Sequence, residues 1–421
     1  MNRLFLKLPA LLLAVIACPA LGLDNLSEFS QPEGFVTAKE HKVGKFQVGF
    51  QHISEVDLSS NINEQPDGED GASYTGSILA NFSGKAGSSD IKGSAGVQII
   101  EQDDSEDDAR SNTTSFIGDL KVRSPLSQTT TNLFSLKSEE ENANDSNLLI
   151  KTKSLSTTRT NTLSDELEIA LNKSWRVALD GTIQQEKYDT TNKKDTARTT
   201  LSRTQAFNRD NDFVNVSLTY QTQDQSQVYG IVQATQSKGG SFSSDSLEQD
   251  SLSIGVGTIT KGKTLSYQLE LAYGSSDATS VTNGVSSNST EDAFFGRITA
   301  QYAISKKSRI YAGVIRSIYT DITTSNNAAV ETTPVIHWQT DLTTNAYTGI
   351  RLDYDVIEIL GTDMEIDTPS AAIKAGYRFS PTLNLEGSIN YKEQTVNAAA
   401  QASGIDEFDE TSLKFILNWY F

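Results

Sequence analysis

The residue types best suited to acid–base or nucleophilic chemistry are scarce in this chain. They are His41, His52, His337 and a single cysteine, Cys18. A hydrolase needs a histidine or carboxylate base beside its nucleophile, and His52 has Ser54 and Asp57 close by in sequence. The spacing gives this pairing no support, and His337 is expected to point to a polar strand face as a structural hydrogen-bonding residue. We therefore predict no enzyme activity, no catalytic residue, no metal site and no cofactor.

Charged residues on the polar sides of alternating segments are a second set with chemical meaning. Such charges either pair with a neighbouring strand or face water, because an unpaired charge survives only where water reaches it. Both arrangements are compatible with a hydrated pathway along the inside of a barrel. The predicted lumen-facing charges are Arg176, Asp180, Glu270, Arg297, Arg351, Asp353, Lys374, Arg378 and Glu386, with Glu168 and Lys414 on similar faces.

The elements that would position these charges are strands, because apolar and polar residues alternate with a period of two. The C-terminal segment TSLKFILNWYF is the clearest example. The ten alternating residues 412–421 suffice to cross a bilayer as a tilted strand, with one face apolar and the other mostly polar. The apolar face carries Leu413, Phe415, Leu417, Trp419 and Phe421, and the opposite face carries Ser412, Lys414, Ile416, Asn418 and Tyr420.

The same alternation recurs in eighteen segments, from 44–56 to 412–421, and tight turns alternate with loops of ten to thirty residues. The fold class predicted is all-β: a transmembrane antiparallel β-barrel of about eighteen strands, with short periplasmic turns and long extracellular loops. Sixteen strands is the main alternative, because 139–171 also fits a loop. Segments 188–211 and 276–292 are long enough to fold into the lumen. Aromatic residues near the short turns predict a girdle: Trp175, Tyr220, Tyr347, Phe379, Trp419, Tyr420 and Phe421.

The N-terminus has the composition of a secretory leader. Arg3 and Lys7 precede an apolar core that is too short to span a bilayer, and cleavage after Gly22 fits the rule for small residues. Lipidation at Cys18 is the alternative. We therefore divide the chain into a signal peptide (1–22), a periplasmic segment (23–42) and the barrel (43–421). After cleavage at Gly22 no cysteine remains, which excludes disulfides and thiol chemistry.

The chain is acidic, with a formal net charge of −19, and loss of the two leader cations makes the mature chain −21. Such acidity argues against nucleic acid as a partner. The carboxylates cluster between predicted strands, at 64–70, 101–108, 139–145 and 406–410, and are expected to be solvated loops. They predict a weak cation preference for any channel.

Two segments resemble known outer-membrane proteins. The last strand, ending in Phe421, resembles the assembly signal that outer-membrane barrels present to the barrel assembly machinery. The hairpin AAIKAGYRFSPTLNLEGSINYKEQ resembles the outer-membrane β-barrel porin 2 family. That resemblance implies a Gram-negative outer membrane, contact with lipid and lipopolysaccharide, and an association with exopolysaccharide clusters.

Three functions remain open from the sequence. The first is a porin-like channel or an export-linked pore, with polysaccharide or export proteins as partners. The second is a loop-plugged scaffold barrel at the cell surface. The third is an exported β-rich adhesin. Lumenal aromatics are predicted to be few (Phe295 and Tyr420), which argues against the aromatic slide of sugar-specific porins.

Overall fold

The structure is a computed structural model. It describes residues 41–60, 70–104, 110–142, 156–190, 209–222, 226–239, 246–282, 285–319, 329–359, 362–402 and 407–421. The predicted leader, and all but the last two residues of the predicted segment before the barrel, lie outside these residues. Much of the predicted acidic loops does too.

Strands make up nearly all of the described chain, with one short helix, α1 (Ala398–Ala402). No helix among these residues is long and apolar enough to cross a membrane. The strands are β1 (His41–Val43), β2 (Phe46–Ser59), β3 (Gly71–Ala86), β4 (Ser89–Asp104), β5 (Arg110–Pro125), β6 (Thr130–Asn142), β7 (Ser156–Ala170), β8 (Trp175–Thr190), β9 (Arg209–Gln221), β10 (Gln227–Gly239), β11 (Ser246–Lys261), β12 (Leu265–Thr282), β13 (Val285–Ala303), β14 (Ser308–Tyr319), β15 (Ala329–Asp341), β16 (Ala346–Ile359), β17 (Glu365–Ser380), β18 (Leu383–Val396) and β19 (Phe408–Tyr420).

Strands β2 to β19 form a closed antiparallel barrel in which each strand pairs with its neighbours in sequence. Strand β19 closes the ring against β2, from Ser412 opposite Ser59 to Tyr420 opposite Gln51. Phe421 completes the seam: its N–H donates to the Phe50 carbonyl at 3.0 Å, and it accepts from the Phe50 N–H at 3.3 Å. Closure removes the free sheet edges that a bilayer would not tolerate.

The prediction of eighteen barrel strands is confirmed, and the sixteen-strand alternative is wrong. The uncertain region 139–171 contains the end of β6 and the whole of β7, which pair from Asn142 opposite Thr157 to Thr130 opposite Ile169. The sequence did not predict β1, a three-residue strand that folds back on β2 through Gly44, whose φ is +64°. That positive φ is the reason for glycine at this turn.

The outer surface carries an apolar belt, which is the surface that faces hydrocarbon in transmembrane barrels. Examples from around the ring are Ile78, Val97, Leu218, Ile254, Leu271, Ile298, Leu352, Ile389 and Phe415, all exposed. Aromatic contacts border the belt. At the short-turn end Trp175 packs on Tyr220 at 4.8 Å, and at the long-loop end Tyr273 packs on Phe294 at 4.9 Å.

The long-loop end of the wall has two steps. Among the described residues, β5 pairs with β6 only from Gly118 to Pro125, and β13 pairs with β14 only from Gly296 to Ala303. In both places the strand pairing stops at a glycine, Gly118 or Gly296. A Cβ on Gly296 (φ +155°) would lie 2.2 Å from the Glu270 carbonyl. An arginine bonds the freed carbonyl just above each step: Arg159 to Phe116 O and Arg316 to Phe294 O, both at 3.3 Å.

Candidate functional site: the lumen

Alternation along each strand gives the barrel a polar inner face. On β18, Asn384 and Glu386 are buried inside, whereas Ile389 and Tyr391 are exposed outside. Most of these inner side chains are small or hydrogen-bonding, so they pack on one another while the outer residues form the belt. The lumen is therefore the candidate functional site.

On one wall, formed by β12 to β19 and β2, four inner cations contact carboxylates. The contacts are Arg297–Glu270 at 3.8 Å, Arg351–Asp353 at 2.6 Å, Lys374–Glu386 at 2.5 Å, Lys414–Glu55 at 3.0 Å and Lys414–Asp57 at 3.5 Å. Three of these cations, Arg351, Lys374 and Lys414, line a pocket of about 240 Å³ together with Ser388 and Asn390. Because each of these four cations has a carboxylate beside it, the paired groups offer donors and acceptors with little net charge.

Neutral groups hold several of these carboxylates in place. The Tyr229 hydroxyl donates to Glu270 at 2.5 Å, the Ser370 hydroxyl donates to Asp353 at 2.5 Å, and Asn384 donates to Glu386 at 3.2 Å. Fixed carboxylates keep their cations in one geometry, so this wall is pre-organised.

The remaining predicted charges are placed as follows. Arg176 bonds Glu168 at 2.8 Å near a short turn. Asp180 is buried and lies directly opposite Glu166, a like-charged neighbour. The Arg378 guanidinium bonds Asn345 Oδ1 at 2.8 Å and the Thr344 carbonyl at 3.2 Å, which ties β17 to the neighbouring short turn.

The histidines do not assemble a catalytic site in the described residues. His52 Nε2 lies 2.7 Å from Ser54 Oγ, so the two side chains do meet. They lie on the outer face with Phe50 and Val56, whereas Asp57 points inward to Lys414. Within the belt, this contact satisfies two polar groups that would otherwise be desolvated. His337 is buried on the inner face, opposite Tyr311 and Arg351.

The aromatic predictions need correction. Tyr347 is not part of the girdle: it is buried on the inner face, where its ring lies over Gly376. Tyr420 faces inward, as its strand parity predicted, and accepts from Gln51 at 3.0 Å, so its assignment to the girdle is wrong. Tyr229 and Tyr311 are further buried inner aromatics, so such residues are more numerous than predicted. The error arose because a girdle was inferred from position along the strand without strand parity.

Of the two segments that are long enough to fold inward, one is found in the wall of the barrel. Residues 276–282 and 285–292 continue the β12–β13 hairpin and do not form an inward loop, and 191–208 lie outside the described residues. Instead α1 turns into the mouth after β18. Asn397 caps it by accepting from the Ala400 N–H at 3.0 Å, and its side chain also donates to the Asp363 carbonyl.

The helix is held by a small apolar cluster, here called the mouth cap. In it Ala400 is fully buried against residues at the long-loop ends of β15 to β18. The other members are Ala329, Ile357, Ile359, Ile366, Met364 and Val396. Sequence reasoning missed the cap because a five-residue alanine-rich turn has no helical period. The sequence did contain one indication: Ile357 and Ile359 are apolar residues at positions of β16 that face the polar interior.

The opposite wall holds a second group that sequence reasoning missed. Lys92 on β4 lies directly opposite Lys121 on β5, and Arg123 follows two residues later on the same face. That face is the inner one, because Gln98 and Ser115 of the same parity are buried while Val97 and Phe116 are exposed outside. All three cations are exposed to the lumen near a short turn, and none has an ion pair among the described residues.

Charge is also divided between the two ends. Cations dominate the short turns and the strand ends beside them: Lys42, Lys45, Lys85, Arg123, Lys173, Arg176, Lys261, Lys263, Lys306, Lys307, Arg309 and Arg378, against Asp90, Glu168 and Asp341 among the described residues. Carboxylates dominate the long-loop end: Asp57, Asp70, Asp103, Glu140, Asp210, Glu248, Glu331, Glu358, Asp363, Glu365, Asp367, Glu407, Asp409 and Glu410, against Arg159, Lys187, Lys238, Arg316 and Lys392 among the described side chains.

No family model matches the chain, and no curated protein matches it. Among solved structures, Acinetobacter baumannii OccAB3 aligns with a TM-score of 0.47 at 10% identity, over 90% of this chain and 100% of that one. Pseudomonas aeruginosa OpdQ aligns with 0.44 at 11%, over 90% and 99%. The ferric yersiniabactin uptake receptor FyuA from Yersinia pestis aligns with 0.42 at 14%, over 83% and 61%. Identities this low indicate a likeness in fold alone.

Proposed function

We propose that this barrel is a porin-like channel in the outer membrane of a Gram-negative bacterium, with its short turns in the periplasm and its long loops outside. The observation that carries the proposal is the charged inner face of a closed eighteen-strand ring. A ring of sixteen to eighteen strands is wide enough for an aqueous channel. Exposed inner cations such as Lys92 and Lys121 require water around them.

We further propose that the channel serves polysaccharide export. The support is the resemblance of the β17–β18 hairpin, residues 371–394, to a barrel family associated with exopolysaccharide clusters. On this proposal its partners are outer-membrane lipid and lipopolysaccharide around the belt, the assembly machinery at β19, and the polysaccharide or export proteins at the mouths. The paired inner charges of β12 to β19 would meet sugar hydroxyls with both donors and acceptors.

The second candidate is a plugged scaffold barrel, which the mouth cap favours. Its apolar residues are almost fully buried, so α1 fills part of the entrance. The exposed apolar belt leaves a soluble adhesin without support.

Single-channel recording in planar bilayers tests these alternatives. The expected result is stepwise conductance with a weak cation preference that declines as salt rises. A variant lacking residues 398–402 is the matched comparison. A silent wild type beside a conducting variant would indicate a plugged barrel, and silence from both in several preparations would replace the channel proposal with the scaffold.

A further inference from the structure

We propose that the short-turn mouth is a binding site for acidic sugar chains, with Lys92, Lys121 and Arg123 as its lumenal contacts. This inference rests on the proposed function, because export is what would bring the ligand to the short-turn side. The ligand class is a polysaccharide that bears carboxylates, entering from the periplasmic side.

The first observation is the register. Directly opposite residues in an antiparallel pair have Cβ atoms about 4.5–5.5 Å apart, and like charges placed there destabilise the sheet. Lys92 and Lys121 occupy such a pair. An anion between the two ammonium groups would remove that repulsion, so the arrangement is one that a bound anion stabilises.

The second observation is that the two carboxylates nearest these cations, Asp90 and Asp119, are held by other groups. Across the next strands, Lys92 faces Ser83 on β3, and Lys121 faces Ser135 on β6. Asp90, opposite Arg123, is paired with Lys85 at 3.3 Å. Asp119, one step deeper on β5, accepts from the Ser94 hydroxyl at 2.5 Å. Glu166 lies two strands from Arg123, across Leu133, and attracts it electrostatically, so Lys92 and Lys121 are the cations with the least compensation.

The third observation is the continuity of positive charge out of the lumen. Lys45 and Lys42 lie at the same mouth, at the start of β2 and on β1, and both are exposed. Lys85, which pairs with Asp90, lies between them and this wall. A single small anion would contact one or two of these cations, whereas a chain with repeated carboxylates would contact several in succession. Lys92, Lys121 and Arg123 point into the barrel, away from phospholipid headgroups, which favours a ligand inside the channel over the membrane surface.

The test uses oligogalacturonate as the acidic chain, with neutral maltohexaose and inorganic phosphate as comparison probes. The full-length barrel is recorded in planar bilayers, and block by each probe is measured from each side. The test variant is Lys92→Gln/Lys121→Gln/Arg123→Gln. The matched control is Lys173→Gln/Lys306→Gln/Lys307→Gln, which removes three cations from the same end in the turns.

We expect oligogalacturonate to block the wild type more strongly from the short-turn side than from the other. The test variant should need about tenfold more of it, since three exposed charges contribute about 1.4 kcal/mol together and that is one decade. The control should stay near wild type, and maltohexaose should be insensitive to both variants. Equal block of wild type and test variant, or phosphate competing as well as the oligomer, would overturn the proposal.

A binding measurement separates this site from the channel function. Fluorescence anisotropy of labelled oligogalacturonate with the detergent-solubilised barrel needs no conductance. Binding lost in the test variant, from a barrel that does not conduct, would uphold the site and refute the channel. Conductance without any such binding would uphold the channel and refute the site. Binding that is lost equally in the control variant would assign the cations to non-specific attraction and refute the site.

Discussion

The two ends of this barrel differ in how they are built. At the short-turn end the described connections between strands are tight turns, the chain terminus is bonded into the seam, and the charge is basic. At the long-loop end the wall steps at β5 and β13, an apolar cap sits in the mouth, and the charge is acidic. The difference indicates that the short-turn end holds the strands in register, whereas strand length differs at the long-loop end. It also indicates that anions are attracted to the short-turn mouth and cations to the long-loop mouth.

The largest expected effect is on closure. Deleting Phe421 removes two backbone hydrogen bonds to Phe50 and a stacked ring pair, and should prevent accumulation of folded barrel. Deleting residues 398–402 at the other end should leave the barrel folded, because α1 contributes no strand pairing. The measurement is the gel-mobility difference between unheated and boiled membrane samples. If both deletions abolished the folded barrel equally, the two ends would not differ in their importance for closure.

A paired substitution in the last strand tests the faces on which that contrast depends. Leu417→Asp puts a carboxylate on the belt, where a lysine or arginine costs about 2–4 kcal/mol at mid-membrane and an aspartate less. Asn418→Asp puts the same group on the inner face and should be tolerated. Yield of heat-modifiable protein in the membrane fraction is compared for the two. The assigned strand parity fails if the two variants behave alike.

An ion pair from each half sharpens the comparison further. Glu386→Gln leaves the half-buried Lys374 without its buried carboxylate, and breaking a fully buried pair costs about 3–5 kcal/mol, which is the upper limit here. Glu358→Gln breaks the half-exposed pair with Arg316 near the acidic rim, and exposed pairs contribute about 0–1 kcal/mol. The midpoint of heat-induced unfolding in detergent measures both. A larger drop for Glu358→Gln would contradict the assignment of rigidity to the short-turn half.

Variants of the mouth cap are expected to change conductance at the long-loop end with little effect on the stability of the ring. Ile357→Ser with Ile359→Ser removes the apolar surface that holds α1 and should release it. We expect a larger single-channel conductance with an unchanged mobility shift. The control is Ile389→Ser on the outer belt, which should leave conductance as it is.

The smallest expected effect concerns the acidic end. Neutralising the acidic residues between 103 and 108 should lower the cation preference without closing the channel. Charges in open solution are screened within about 8 Å at physiological ionic strength, so the change should fade as salt rises. Reversal potentials in potassium chloride gradients measure it. A loss that persists at high salt would locate these carboxylates inside the permeation path.

The sequence predicts the ring well and the mouth poorly. Two-residue alternation identified all eighteen barrel strands because one face of each strand lies against lipid and every slip of register would expose the other face. Tyr347 and α1 were missed because their positions depend on contacts between distant strands, such as Tyr347 over Gly376 and Ala400 against Ile357. The Lys92–Lys121 pair required the register of β4 against β5, which a single strand does not contain.

The steps in the wall also bear on how these barrels coexist in a crowded bilayer. Above Gly118 and Gly296, β5 and β13 each present backbone donors and acceptors on one side, and such edges invite pairing with another chain. Their sequences there, RSNTTS and SSNSTED, are polar and rich in serine, threonine and asparagine. Segments of this composition lack the apolar side chains that drive strands of separate molecules to zip together. The unpaired upper parts of β5 and β13 can therefore extend beyond a bilayer without promoting aggregation of neighbouring barrels.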